Sequence, residues 1–343
     1  MTEGKGFFSH TPTGNEMGTK AGWACAVALL LALGACGSSS SGGSIYFASD
    51  RDANFDIYAV DPRNGHVRNI SNSPEDDHSP VVSPNRRSVA YVATSGNGQG
   101  VMVADRIGET KASVTQSQGR YRDPRWAPGS NRLAYLDEGS SEPRVYIVGA
   151  DGGDQSLLTN ISGDEVGGWS PDGETVVFAV HDGAGQGIYV RNPDGVNEFR
   201  LTEAPDRRPV WSPDSKQIAF LSKRDGNDEV YVMNADGSGV VRVTETPAPE
   251  YDLSWSPSGK QLVFVSEQDG NAEIYVAEVG NRKQTRLTFN QVRDEKPVWS
   301  PDGRQIAFVS YLDNDADLFV MNADGKGQVR LTNNDAEDTE PSW

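Results

Sequence analysis

The fold class this sequence predicts is all-β, a β-propeller of four-stranded antiparallel blades, and three observations carry the prediction. A column of Val82, Trp126, Trp169, Trp211, Trp255, Trp299 and Trp343 recurs every 42 to 44 residues and takes in all but one of the 7 tryptophans. Two more columns keep the same phase: Tyr58, Met102, Tyr146, Tyr189, Tyr231, Tyr275 and Phe319, and then Ser71, Thr115, Thr159, Thr202, Thr244, Thr288 and Thr332. Within each unit short apolar runs alternate with Pro, Gly and Asp turns, and no run shows a stripe at helical spacing, so each unit reads as one blade. Seven units predict seven blades; the alternative is six, should one of the first two units, where Val82 and Met102 break the columns, not form a blade.

Composition sets the outer bounds. The chain has 343 residues, 36% hydrophobic and 23% charged, with 37 Gly and 19 Pro, which suits a turn-rich globular protein rather than a disordered one. Its formal charge of −18 and pI near 4.6 repel polyphosphates, which excludes nucleic acid as a partner. Four histidines and two cysteines leave little for a zinc site or a Ser-His-Asp triad.

Residues 1–35 read as a lipoprotein signal peptide. Ala21 to Ala35 is an uncharged, mostly apolar run following Lys20, shorter than the roughly 20 residues that span a bilayer. It ends in Leu33-Gly34-Ala35-Cys36, which resembles the bacterial lipobox, and the resemblance implies cleavage before Cys36 and lipid on its sulfur. Residues 36–43, the cysteine and a Gly/Ser stretch, form a tether reaching at most about 25 Å. Cys25 leaves with the leader, so no internal disulfide is expected.

The propeller occupies residues 44–343. In the unit that begins at Pro209, strand a is Pro209 to Ser212, strand b Gln217 to Ser222, strand c Glu229 to Asn234 and strand d Val241 to Thr244. Strands b and c are nearly continuous apolar runs, which implies sheets covered on both faces. The first unit opens at strand b with Ile45-Tyr46-Phe47-Ala48, and Pro341-Ser342-Trp343 reads as an orphan strand a. Pairing the two ends would complete one blade and remove an open edge.

At this point the repeats carry a family resemblance. Trp169-Ser170-Pro171-Asp172-Gly173, Trp211-Ser212-Pro213-Asp214, Trp255-Ser256-Pro257-Ser258-Gly259 and Trp299-Ser300-Pro301-Asp302-Gly303 resemble the WD40-like PD40 repeat of TolB-like propellers and of prolyl oligopeptidase-class propellers. The resemblance implies a cell-envelope binding protein without fixing a ligand. It departs in two respects: TolB carries an α/β domain ahead of a six-bladed propeller, whereas Ile45 here follows the tether directly and seven hairpins are counted.

Antiparallel order puts the b–c hairpins and d-to-a crossings on one face and the a–b and c–d turns on the other. The second face is uniform, because Pro-Asp-Gly and Ala-Asp-Gly recur there for their turn chemistry, so a specific site belongs on the first. Five residues before the tryptophan column stand Asp77, Asp164, Asp206, Glu250, Asp294 and Asp338, with Tyr121 as the exception. They read either as an acidic ring at the channel mouth or as carboxylates that accept hydrogen bonds from amides of their own crossing loops. Residues that break the repeat near that mouth are the candidate binding contacts: His78, Tyr121, Arg122, Glu165, Arg207, Arg208, Tyr251 and Glu295.

Signals for chemistry are weak. Asp313-Asn314-Asp315-Ala316-Asp317 imitates the start of a calcium loop, yet Leu318 stands where such a loop needs Gly and no Glu follows at its end, so no metal is expected. No Gly-x-Ser-x-Gly elbow is present and no cofactor motif is found. The reading is therefore a non-enzymatic, lipid-anchored scaffold of the cell envelope, at the outer membrane and periplasm or on the outer face of the cytoplasmic membrane. It binds an envelope protein or peptide with a basic segment and holds the membrane through lipid on Cys36. The alternative is a secreted carbohydrate-active or hydrolytic enzyme that uses an acidic mouth.

Overall fold

A computed structural model describes residues 43–343, apart from Asn97, Ser117, Gln118, Asn160, Gly163, Asp164, Asp182, Asp313 and Asn314. The leader, Cys36 and the tether up to residue 42 lie outside the described residues, as does Asp164. Every element described is a strand, and the strands form seven four-stranded antiparallel sheets. Six blades are sequential, with innermost strands Asp77–Val82, Tyr121–Trp126, Glu165–Trp169, Arg207–Trp211, Glu250–Trp255 and Asp294–Trp299 (blades 2 to 7). Blade 1 is composite: Asp338–Ser342 pairs with Ile45–Ser49, followed by Asp56–Val60 and Val67–Asn69, in the register Tyr46↔Ser342, Ala48↔Thr339 and Ser49↔Asp338. Neighbouring innermost strands touch all the way round, so the ring has seven blades and not six.

The units with atypical columns are full blades. Blade 2, which carries Val82 and Met102, has the longest hairpin, with eight residues in each of Ser88–Ser95 and Gly98–Asp105. In blade 5 the middle strands are Gln217–Ser222 and Glu229–Asn234, as the apolar runs predict. Strand a starts earlier than expected, at Arg207, because Arg207 already pairs with Leu221 before a bulge. Strand d stops at Arg242, because the Thr244 hydroxyl then takes the Val230 N–H at 2.8 Å and turns the chain out of the ladder.

That last contact explains the hydroxyl column. In all seven blades the Ser or Thr oxygen accepts the N–H of a residue at the start of strand c, at 2.8 to 3.2 Å. A buried donor that the ladder cannot reach is thereby satisfied. The aromatic columns fill the sheets: Phe220 stacks on Tyr231 and Phe264 on Tyr275, with ring centroids 5.7 and 5.9 Å apart. The tryptophans join successive blades, as the indoles of Trp126 and Trp255 donate to Val81 O and Val210 O of the preceding innermost strand at 2.8 and 3.1 Å. Each buried side chain of this size contributes about 1.5–3 kcal/mol, and the b and c strands supply several per blade.

The uniform face follows from turn geometry. Asp172 Oδ1 accepts the Ser170 hydroxyl at 2.6 Å and the Glu174 N–H at 3.0 Å, and Gly173 behind it is left-handed at φ 79°. Where a unit lacks that glycine, Arg86, Ser130 or Ser215 takes the same conformation at φ 57–60°.

Candidate functional site

The carboxylate column does not line the mouth. Asp77, Asp206, Glu250, Asp294 and Asp338 are buried, each at a blade junction beneath its own crossing loop. Asp338 accepts from Arg51 at 2.7 Å and Asn334 at 2.8 Å, Asp206 from Arg224 at 2.7 Å, and Asp294 from Asn290 at 2.7 Å. Glu250 accepts from the hydroxyls of Thr246 and Ser266 at 2.6 and 2.9 Å. The reason lies in register: Glu250, Asp294 and Asp338 pair with Ser266, Ser310 and Ser49, the last residues of their strands b, Asp77 pairs with Ala93, and Asp206 immediately precedes the ladder. Neither sequence reading describes all five: the donors are side chains, from the b–c hairpin as well as the crossing loop, and no donor among the described residues reaches either oxygen of Asp77, while burial withdraws the acidic ring at the mouth for all five. Likewise Asp317, the one acidic residue of the calcium-loop imitation that belongs to a strand, accepts from Arg330 and Thr332.

The residues that reach the channel sit two positions further on. Ser79, Asp123, Arg208, Asp252, Lys296 and Glu340 hold the same place in six innermost strands, three before the tryptophan column, and all line a central cavity of about 930 Å³. Each lies at a β-bulge with φ between 52 and 57°. A bulge frees an N–H from the ladder, and in three cases a carboxylate of the preceding blade takes it. Glu340 Oε2 accepts from Ser79 N at 2.6 Å, Glu165 Oε2 from Arg208 N at 2.8 Å, and Asp252 Oδ2 from Lys296 N at 3.2 Å. The cavity wall is therefore of mixed charge, and its charged groups are held before any ligand arrives. Blade 4 differs: Gly167 and Gly168 replace the usual bulky pair, and a Cβ on Gly167 would stand 2.2 Å from Pro209 O.

The sequence candidates fall into three groups. Glu165 and Arg208 meet in the channel wall, with the Arg208 Nε 3.2 Å from Glu165 Oε1 and His181 Nε2 3.4 Å from Oε2. Burial works to raise the Glu165 pKa, but His181 and the Arg208 guanidinium and N–H outweigh it and hold the carboxyl below its ordinary value. Asp252 goes the other way, raised by burial against the pull of Arg208 and Lys296. His78, Tyr121 and Arg122 line a separate pocket of about 560 Å³ between blades 2 and 3, where Arg122 reaches Glu138 at 2.8 Å. Tyr251 and Glu295 meet at 3.3 Å across blades 6 and 7, with Arg293 on Glu295 at 2.5 Å and over the Tyr311 ring at 4.8 Å. Arg207 stands apart from these groups, paired with Asp228 of its own blade.

Sequence reasoning missed Asp123, Asp252, Lys296 and Glu340. The available signal was variability: this position holds Ser, Asp, Arg, Asp, Lys and Glu in turn while the position after it is Pro in five of the six strands.

Comparison with known proteins agrees with this architecture. The model of the TolB beta propeller domain, PD40, matches residues 86–252 and 246–343, more than half the chain. The chain is 30% identical over 162 residues to a protein TolB homolog of Chlorobaculum tepidum, covering 47% of this chain and 37% of that protein. It is 32% identical over 132 residues to an uncharacterized peptidase, YuxL, of Bacillus subtilis, covering 36% of this chain and 20% of that one. The matches thus span well under half the length of these curated relatives. The crystal structure of TolB from Acinetobacter baumannii superposes with a TM-score of 0.59 at 20% identity, over 84% of this chain and 78% of that one, which speaks to the fold alone. On the matched repeats and the seven PD40-type blades that carry them, the chain belongs to the TolB β-propeller family.

Proposed function

We propose that the protein is a binding scaffold of the cell envelope, exported by its leader, anchored by lipid on Cys36, and engaging a segment of an envelope protein or peptide at the channel mouth. The observation that carries this reading is the ring three residues before the tryptophans, where a repeating framework presents non-repeating side chains around a 930 Å³ cavity. A ring whose N–H groups and carboxylates are already paired loses little freedom on binding, which favours affinity. Charges of both signs on Asp123, Asp252, Glu340, Arg208 and Lys296 select a partner by complementarity rather than attracting any cation. A basic segment is thus one half of the expected ligand, with acidic groups set against Arg208 and Lys296.

The enzyme reading draws on the partial match to a peptidase, but its proposed carboxylates are the buried column, which no substrate in the cavity would touch. The test passes detergent-solubilised envelope proteins over the immobilised full chain and over Arg208→Ala, beside a turnover screen with peptides and glycans. A partner retained by the wild type and lost by the variant supports the scaffold. Turnover of a peptide or glycan by the wild type, abolished in the variant, replaces it with an enzyme.

A further inference from the structure

The buried column carboxylates are compensated in two different ways, and the residue two positions after the strand-b residue opposite each carboxylate decides which. Asp338 pairs in register with Ser49 and meets the guanidinium of Arg51, while Asp206 meets that of Arg224. Both arginines also cover the blade's tyrosine, at 4.5 Å for Tyr58 and 4.9 Å for Tyr231. The equivalent positions beside Glu250, Asp294 and Asp77 are Gln268, Leu312 and Ser95, none of which supplies a cation.

At Glu250 the hydrogen-bond inventory shows what replaces the cation. Glu229, at the start of strand c of blade 5, takes Arg242 Nη2 and the Thr246 N–H on Oε1, at 2.8 and 2.9 Å. Glu250 takes Thr246 and Ser266 on Oε1 and Thr244 at 3.2 Å on Oε2. Both side chains are buried, and no N–H or hydroxyl among the described residues reaches Glu229 Oε2. Thr246 bridges the two carboxyls, its N–H on Glu229 Oε1 and its hydroxyl on Glu250 Oε1, so the two buried acids meet at one residue. The next junction repeats the pattern: Glu273 Oε2 and Asp294 Oδ1 both lack a donor. Two buried ions of like charge side by side are strongly unfavourable, whereas one proton between them removes the repulsion and satisfies the orphan oxygen at once.

We propose that Glu229 and Glu250 share a single proton, a carboxyl-to-carboxylate hydrogen bond that joins blades 5 and 6 where blades 1 and 5 use an arginine. Its loss leaves two adjacent buried anions and loosens the innermost strand that presents Tyr251 and Asp252 to the mouth. The charges around the pair are Arg242, with Asp225 and Glu245 at 3.8 and 3.9 Å from its Nη1, Asp228 of the same hairpin, held by Arg207 and Lys223, and Glu267 beside Ser266. None of these cations reaches Glu250. Burial, followed by the Glu229 carboxylate, pushes Glu250 up to about 8, while Glu229 lies below its ordinary value.

The sign follows from linkage. A carboxyl raised on folding contributes stability that is complete below the unfolded value near 4.5 and is lost as pH rises through about 8. Melting of the full-length protein between pH 5 and 9 is compared with Glu250→Gln, which mimics the protonated acid, and with Gln268→Arg, which supplies the missing guanidinium. The melting point of each variant should gain on the wild type by about 2 °C per pH unit up to pH 8 and then hold level. An infrared band of a buried protonated carboxyl should be present in the wild type at neutral pH and lost in Glu250→Gln. A gap independent of pH in both variants, or an unchanged infrared band, overturns the shared proton. So does a wild-type melting point that calcium raises and a chelator lowers, which would place a cation between the carboxylates instead.

Discussion

Glu340 Oε2 accepts the backbone N–H of Ser79 at 2.6 Å across 261 residues of sequence. The bond ties the last strand of the chain to the innermost strand of blade 2, the Lys296 ammonium of blade 7 donates to Thr339 Oγ1 at 3.0 Å on the other side, and the Trp343 indole donates to Gly43 O at 2.9 Å within blade 1. The C-terminal strand is thus held by both neighbours as well as by its ladder with Ile45–Ser49. Removing residues 340–343 should cost about 3 kcal/mol or more, since it deletes a largely buried Trp and reopens a sheet edge. Thermal melting checks this, and a truncated protein that melts with the wild type would show that closure adds nothing.

The hydroxyl column gives a sharper, local prediction. Thr244→Val keeps the shape but removes the acceptor of the Val230 N–H, a donor buried in the blade. The expected loss is about 1–3 kcal/mol, with Thr244→Ser close to wild type, read by chemical denaturation at unchanged m-value. Equal stability of the Val and Ser variants would mean that the column is kept for packing instead.

These contacts show which parts of the fold the sequence could reveal. The Ser/Thr column reports a bond that every blade makes, and the Trp and Tyr columns report packing that recurs from blade to blade, so periodicity alone exposes them, and with them the blade count and the composite blade. Side-chain direction is different. Asp206 immediately precedes the strand and Arg208 is its second residue, yet the first is buried against Arg224 and the second lines the channel, because Arg208 forms a bulge at φ 54°. A left-handed non-glycine residue leaves no mark in composition, so the acidic column was readable as a mouth when it is a set of junctions. Likewise the link from Glu229 through Thr246 to Glu250 joins adjacent units, and no single repeat contains it.

Arg224 should be worth far more than an exposed ion pair. Its guanidinium is the cation on buried Asp206, and its Nε also bonds Ser222 Oγ at 2.9 Å. Arg224→Met leaves an uncompensated buried carboxylate and should cost about 3–5 kcal/mol. Lys216→Met, beside exposed Asp214, should leave the melting point unchanged. Equal effects of the two substitutions would remove the distinction between junction and surface pairs.

Membrane attachment is expected to depend on Cys36. Partitioning of the expressed protein into Triton X-114 should be lost in Cys36→Ala, while the soluble domain keeps its melting point, because the propeller begins beyond the tether. Retention of the variant in the detergent phase would show that the leader itself, and not a lipid, holds the membrane.

The mouth makes the prediction closest to function. Arg208 and Tyr251 combine the side-chain types enriched at binding hot spots with a framework that holds them, Arg208 by Glu165 and Tyr251 by Glu267 and Glu295 at 3.2 and 3.3 Å. Arg208→Ala keeps the backbone N–H that Glu165 accepts, so the bulge should survive while the contact disappears. For a partner captured from the envelope, either substitution should cost about 2 kcal/mol, roughly thirtyfold in dissociation rate. Asp252→Asn and Glu340→Gln, which alter the charge of the wall, should act mainly on association and on its salt dependence. Asp206→Asn and Asp294→Asn should change stability without changing either rate, since neither carboxylate is exposed. Surface plasmon resonance with these variants separates the possibilities. Binding that survives Arg208→Ala and Tyr251→Ala but fails on Arg282→Ala, in the c–d turn between Glu273–Glu278 and Gln284–Arg286, would move the interface to the turn face.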